Sequence, residues 1–249
     1  MTAKIDIINK INGMFPPEKA CDFDNVGVLA GDVDGPVSKV MLTLDVTTPV
    51  INECIEKGCN LLISHHPVIF GGIKNVNCDN ATGSRIWKLA SAGITCMAAH
   101  TNLDVTSECS NALLAYKLGC EKDAWMAPEG TEYGVAFKIE PVTLSEFSGR
   151  TLEALGGTGV IYYADPSKTC SKIFAQGGSF DEDCIPVIRK LGIDTVVSGE
   201  IKHHIMYELA EYGIAGVIAG HRETERIFMP YLASLLKKSF PDVEFLVSL

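Results

Sequence analysis

The apolar positions of this chain alternate between two rhythms. SKVMLTLDV (38–46) is a short run of β-branched and apolar residues, TTPVINECIEKG (47–58) has helical periodicity and a closing glycine, and NLLIS (60–64) is another strand-like apolar run. A compact apolar run of that length fits a buried strand. A second helical stretch, SRIWKLASAG (84–93), leads into the strand-like ITCMAAH (94–100). This spacing predicts an α/β fold with largely parallel sheets flanked by helices.

The same order returns further on. SKIFAQGGS (171–179), IPVIRKLGIDTVVSGEIKHH (185–204) and ELAEYGIAGVIAGHRETE (208–225) parallel the three earlier segments, and Ser38 to Ser64 spans 26 residues where Ser171 to Ser198 spans 27. An internal repeat is therefore expected, giving two related α/β halves that meet around residues 121–132. We divide the chain into 1–125 and 126–249, with the C-terminal segment able to pack back on the first half. Between the repeats, residues 131–156 read as a strand followed by a helix that starts near the N-cap residue Thr143, and VIYYAD (160–165) as a further strand. No low-complexity linker separates the halves, so they are expected to pack together.

Composition narrows the function classes. The 249 residues are 47% hydrophobic and 21% charged, with a formal net charge of -10. Without clustered Lys and Arg there is no phosphate-tracking surface, so nucleic acid is not an expected partner. No stretch reaches the roughly 18 apolar residues of a membrane span. The N-terminal MTAKIDIINKINGMF reads as a helix and not as a secretory leader. Nine cysteines, odd in number and without a CxxC pair, fit reduced thiols in a cytoplasmic protein and disfavour a thiolate zinc site.

Histidine placement carries the chemistry. All six histidines fall at or just beyond expected strand ends: His65 and His66, His100, His203 and His204, and His221. Asp104 follows His100 by four residues, Glu225 follows His221 by four, and Glu200 shortly precedes His203. Ligands of parallel α/β sheets gather at the carboxyl ends of strands. A lone histidine there is ordinarily a hydrogen-bonded structural residue, but six with three acids reverse that expectation. Imidazole and carboxylate together suit zinc, iron, manganese or cobalt. His221 and Glu225, at i and i+4 of a helical turn, can reach one centre. Neighbouring side chains of an extended segment point apart, so His65 and His66 suit two ions better than one if the loop at Pro67 bends. His100 and His204 are candidates for orienting a ligand or facing the substrate, His203 is not expected to be a ligand, and Glu200 is either a site carboxylate or a solvated one.

The segments FPPEKACDFDNVGVLAGD (15–32), LLISHHPVIFGG (61–72), AAHTNLDV (98–105), SGEIKHH (198–204) and AGHRETER (219–226) resemble the motifs of the dinuclear metal-centre family of NGG-one-interacting-factor-three-like proteins, the type-two GTP cyclohydrolase homologues. The resemblance spans nearly the whole chain. It implies that His65, His66, Asp104, His221 and Glu225 hold two divalent metal ions per subunit, with Glu225 bridging, and that the subunits form a toroidal homohexamer. Longer relatives carry an inserted domain between the halves for which this chain is too short. Phe23 stands where the family commonly has tryptophan; Asp24, Gly27 and Gly31 lie in the same loop. Asp45 ends the first strand of the first repeat and can approach the site, whereas its counterpart in the second repeat is Gly178.

The expected function is metal-dependent hydrolysis, with His100 and His204 as the candidate catalytic residues and a nucleotide-like substrate, GTP by the family's name. Two ions about 3.5 to 4 Å apart activate water and stabilise displaced oxygen. The chain contains no GxxxxGK[ST] loop, so a P-loop nucleotide site is not expected. The alternatives are a non-enzymatic metal store or chaperone and a regulatory interaction protein.

Overall fold

The computed structural model describes residues 1–105, 110–122, 124–131 and 133–249. In chain order the elements are α1 (Lys4–Met14), β1 (Gly27–Ala30), β2 (Lys39–Thr43), α2 (Thr48–Lys57), β3 (Leu61–Ser64), α3 (Ala81–Ser91), β4 (Thr95–Ala98) and α4 (Thr101–Asp104). There follow α5 (Ser110–Lys117), β5 (Trp125–Met126), β6 (Val135–Thr143), α6 (Leu144–Leu155), β7 (Ile161–Tyr163), β8 (Thr169–Ser179), α7 (Ile185–Lys190) and β9 (Thr195–Glu200). The chain ends with α8 (His203–Glu211), β10 (Ala215–Ile218), α9 (His221–Glu225), α10 (Phe228–Ser239) and β11 (Glu244–Ser248). It divides into two compact units, one of Met1–Leu103 with Met229–Leu249, the other of Asp104–Phe228.

Local chemistry sets the element ends. Thr47 caps α2 by accepting from Val50 N, and Gly58, at φ +70°, closes it in the left-handed conformation that glycine adopts without steric cost. Thr143 caps α6 by accepting from Glu146 N, as the sequence predicts.

The first unit holds a five-stranded sheet in the order β1-β4-β3-β2-β11. Its β11, β2, β3 and β4 are parallel neighbours, while β1 lies antiparallel on the β4 edge. All four residues of β3 are buried, which explains its unbroken apolar sequence. A core of Met41, Ile51, Cys54, Leu62, Leu89 and Cys96 fills the space between this sheet and its helices.

The second unit holds a six-stranded sheet in the order β5-β6-β8-β9-β10-β7. Here the expectation of a largely parallel sheet needs correction. Only β8-β9 and β9-β10 are parallel; the other three pairings are antiparallel. The antiparallel strands lie outside the parallel trio, where one face can meet water. Accordingly β6 is buried over Val135–Phe137 and mostly exposed or half-buried beyond. Separate clusters cover the two faces, one around Phe137, Phe147 and Val197, the other around Phe174, Val196 and Met206. Among the described residues, no helix is long and apolar enough to cross a membrane.

Candidate metal centre

In the first unit the ladder between β2 and β3 continues past Ser64. His65 N donates to Thr43 O at 3.1 Å and His66 N to Leu44 O at 2.9 Å, while Ser64 Oγ donates to His66 O at 2.8 Å. These bonds fix two consecutive histidines where the strand would otherwise fray. Their rings lie 5.0 Å apart, and the His100 ring, beyond the end of β4, lies 5.0 Å from His65 and 5.5 Å from His66. One nitrogen from each of the three lies within 4.8 Å of the others.

Each ring is held at Nδ1 by an oxygen of the first unit. His65 Nδ1 is 3.0 Å from Ala99 O, His66 Nδ1 is 2.8 Å from Asp45 Oδ1, and His100 Nδ1 is 2.9 Å from Asp24 Oδ1. Carbonyls and carboxylates accept, so each Nδ1 donates and Nε2 carries the lone pair. Outer oxygens of this kind orient metal-binding imidazoles and raise their basicity. His65 is only 2% exposed, so the tautomer is set within the protein interior.

Asp24 anchors more than the ring. Its second oxygen accepts from Thr101 N at 3.0 Å and Thr101 Oγ1 at 2.5 Å. Burial alone would raise the carboxyl pKa, but the hydrogen bonds from His100 and Thr101 and the His100 charge outweigh it. The group is held well below the usual carboxylate range.

The second unit presents a smaller donor set. His221 opens α9 and Glu225 follows one turn later, with Nε2 and Oε2 3.2 Å apart; His221 Nδ1 lies 3.2 Å from Glu200 Oε1. Glu225 is 7% exposed. Glycines make this approach possible. A Cβ on Gly178, already at φ +65°, would run into Glu225 Oε1, and one on Gly199 would sit 2.6 Å from both His221 Cα and Gly178 O. The helical turn bearing both donors therefore rests on bare backbone of β8 and β9. Asp104 accepts from Ser110 Oγ at 2.6 Å, and Asn111 links the Asp104 carbonyl (3.3 Å) to Gly177 N (2.8 Å).

Each sequence-derived candidate now has a place. His65, His66 and His100 come together in the first unit, and His221 and Glu225 in the second. His204, the second residue of α8, has its side chain 70% exposed and its Nε2 3.5 Å from Glu182, and joins no group of donors within one ion's reach among the described residues. The His203 ring meets Tyr207 at 4.9 Å. Glu200, left open by the sequence, lies beside His221, and Asp45 approaches the site by holding His66. The role of Asp24 was missed: it lies 76 residues from His100, and its only sequence signal was its place in the DFDN loop.

These donors fit a divalent first-row ion. They are imidazole and carboxylate, they include buried members, and no described cysteine belongs to the three-histidine group.

Comparison with known proteins identifies the family. The family model described as Duf34/NIF3 (NGG1p interacting factor 3) matches residues 2–249. A Clostridium acetobutylicum protein named GTP cyclohydrolase 1 type 2 homolog is 33% identical over 232 residues, covering 90% of this chain and 86% of its own length. Among solved structures, a Staphylococcus aureus hypothetical protein superposes with a TM-score of 0.90 at 26% identity, and a Bacillus cereus protein related to NIF3 with 0.92 at 20%. Each covers 99% of this chain and 96% of its own; at 20% identity the second likeness speaks for the fold alone.

Proposed function

The chain belongs to the Duf34/NIF3 family, and from that premise we propose that it is a metal-dependent hydrolase acting on a nucleotide-like substrate. In this reading His65, His66, Asp104, His221 and Glu225 are the ligands of two divalent ions per subunit. The observation that carries it is the convergence of three Nδ1-anchored imidazoles, with one nitrogen from each within 4.8 Å of the others. In this reading His65 and His66 turn Nε2 toward an ion, and His100, held at Nδ1 by Asp24, keeps Nε2 for proton transfer beside them.

Two ions held there would supply Lewis acidity and a lowered water pKa. The protein's own contribution is positional and protolytic. His65 and His66 are fixed by carbonyl and carboxylate partners. His100, with Nδ1–H committed to Asp24, would take a proton from the attacking water at Nε2 and return it to the leaving group. His204, exposed at the start of α8, is assigned to contact with the substrate. Glu225, buried and beside His221, would hold the ions through its carboxylate. Assembly into a toroidal homohexamer and a cytoplasmic location belong to the same reading.

The curated relative's name makes GTP the first substrate to test. Metal-reconstituted protein, a chelated sample and an Asp104→Ala variant are incubated with GTP and the products identified by mass spectrometry. Metal-dependent release of formate with an intact triphosphate, absent from both controls, is the expected result. Metal uptake without turnover of GTP or any other nucleotide would instead favour metal storage or delivery.

A further inference from the structure

Of the ten phenylalanines, eight are buried or half-buried, and Phe23 and Phe70 alone are exposed, at 61% and 63%. The two are neighbours, with ring centroids 6.3 Å apart and planes tilted by 59°. Phe70 stands edge to face with His100 at 6.1 Å, and His100 lies 5.0 Å from His65. An aromatic path thus runs from solvent to the histidine cluster.

The path is tied to the cluster by backbone as well. Asn25 Nδ2 donates to Ile69 O at 2.8 Å, joining the loop that bears Phe23 to the one that bears Phe70. Asn25 N donates at 2.7 Å to Asp24 Oδ1, the atom that holds His100. Leaving two phenylalanines in water forgoes the stabilisation their burial would give. A fold that buries or half-buries the other eight and braces these two beside a donor cluster keeps them for contact.

We infer that Phe23 and Phe70 form a stacking platform for the planar heteroaromatic ring of a substrate, holding the ring's reacting edge toward His100. The inference rests on the proposed function in taking the histidine cluster as the reaction centre. The tilted pair offers one ring a face and an edge together, the two arrangements that aromatic rings prefer. Nucleobases suit such a platform because each has a π-face.

The test uses the full chain, wild type and a Phe23→Leu/Phe70→Leu double variant that retains apolar bulk. Guanosine, adenosine and ribose are the probes, followed by saturation-transfer NMR and calorimetry, with metal content measured on the same samples. Both nucleosides are expected to bind wild type and ribose to fail. The double variant is expected to bind nucleosides roughly 5- to 150-fold more weakly, the range that loss of base–aromatic stacking gives, with unchanged metal content. Equal nucleoside binding by both proteins overturns the platform, as does no binding by wild type. A change in assembly mass without a change in nucleoside binding also overturns it, because the occupant is then another copy of the chain. Wild type that stacks nucleosides on the two rings but takes up no ion sinks the metal-centre reading and keeps the platform; uptake of ions without nucleoside binding does the reverse.

Discussion

Asp24 and His100, 76 residues apart in sequence, are joined by a 2.9 Å bond between Oδ1 and Nδ1, and the aspartate's other oxygen is filled by Thr101. One buried carboxylate therefore fixes a ring orientation, a tautomer and the start of the helical turn after β4. Its charge is part of the fold as well as of the site.

The acid sensitivity of the protein follows from that bond. The folded-state pKa of Asp24 is depressed, so its stabilising contribution is complete above the unfolded carboxylate value of about 4. It is lost progressively as the pH falls through that value toward the folded one. Asp24→Asn is expected to cost about 2 kcal/mol near neutrality, typical of bonds to a charged group. The variant should also show a flatter stability curve between roughly pH 5 and pH 2. Urea midpoints of both proteins across that range check it; parallel curves would mean the carboxylate is not held ionised by its neighbours.

Glycine positions under α9 should divide sharply. Gly178→Ala adds a Cβ where Glu225 lies and strains a positive φ, so a loss of about 1 to 3 kcal/mol is expected together with weaker metal uptake. Gly149→Ala, inside α6 with nothing within 4 Å of the new Cβ, should be stabilising by up to about 1 kcal/mol with metal uptake unchanged. Thermal midpoints and metal analysis on the two variants make the comparison, and equal behaviour would remove the steric argument.

The histidines should separate in the same way. His66→Ala removes a ring held by Asp45 in the three-donor group and is expected to lower ion affinity by at least about tenfold. His204→Ala removes an exposed ring outside any such group among the described residues and should leave affinity unchanged while affecting turnover. Competition titrations with a chromogenic chelator read both.

Much of this was legible in the sequence where local pattern and burial coincide. NLLIS is apolar because β3 is covered on both faces, and the closing glycine of TTPVINECIEKG is the left-handed cap of α2. Strand direction at the sheet edges was not legible. VAFKIEPVT gives the same local signal whether it pairs parallel or antiparallel, and its long-range pairing with β8 is what makes it antiparallel. The candidate site divided similarly. His65 and His66 announced themselves by adjacency at a strand end, but the nearly identical HH pair at 203–204 proved to be the exposed first two residues of α8, ahead of its buried Ile205 and Met206. Asp24 could not be found from spacing, since a hydrogen bond across 76 residues leaves no periodic trace.

The central claim is that these side chains hold two ions, and metal stoichiometry tests it most directly. Purified protein is stripped with a chelator, equilibrated separately with zinc, manganese, iron and cobalt, desalted, and assayed for ions per subunit by elemental mass spectrometry beside His65→Ala and Glu225→Ala. The account predicts two equivalents of at least one of these metals in wild type and a clear deficit in both variants, with circular dichroism unchanged. Wild type that retains no ion, or folded variants that retain both, would contradict it.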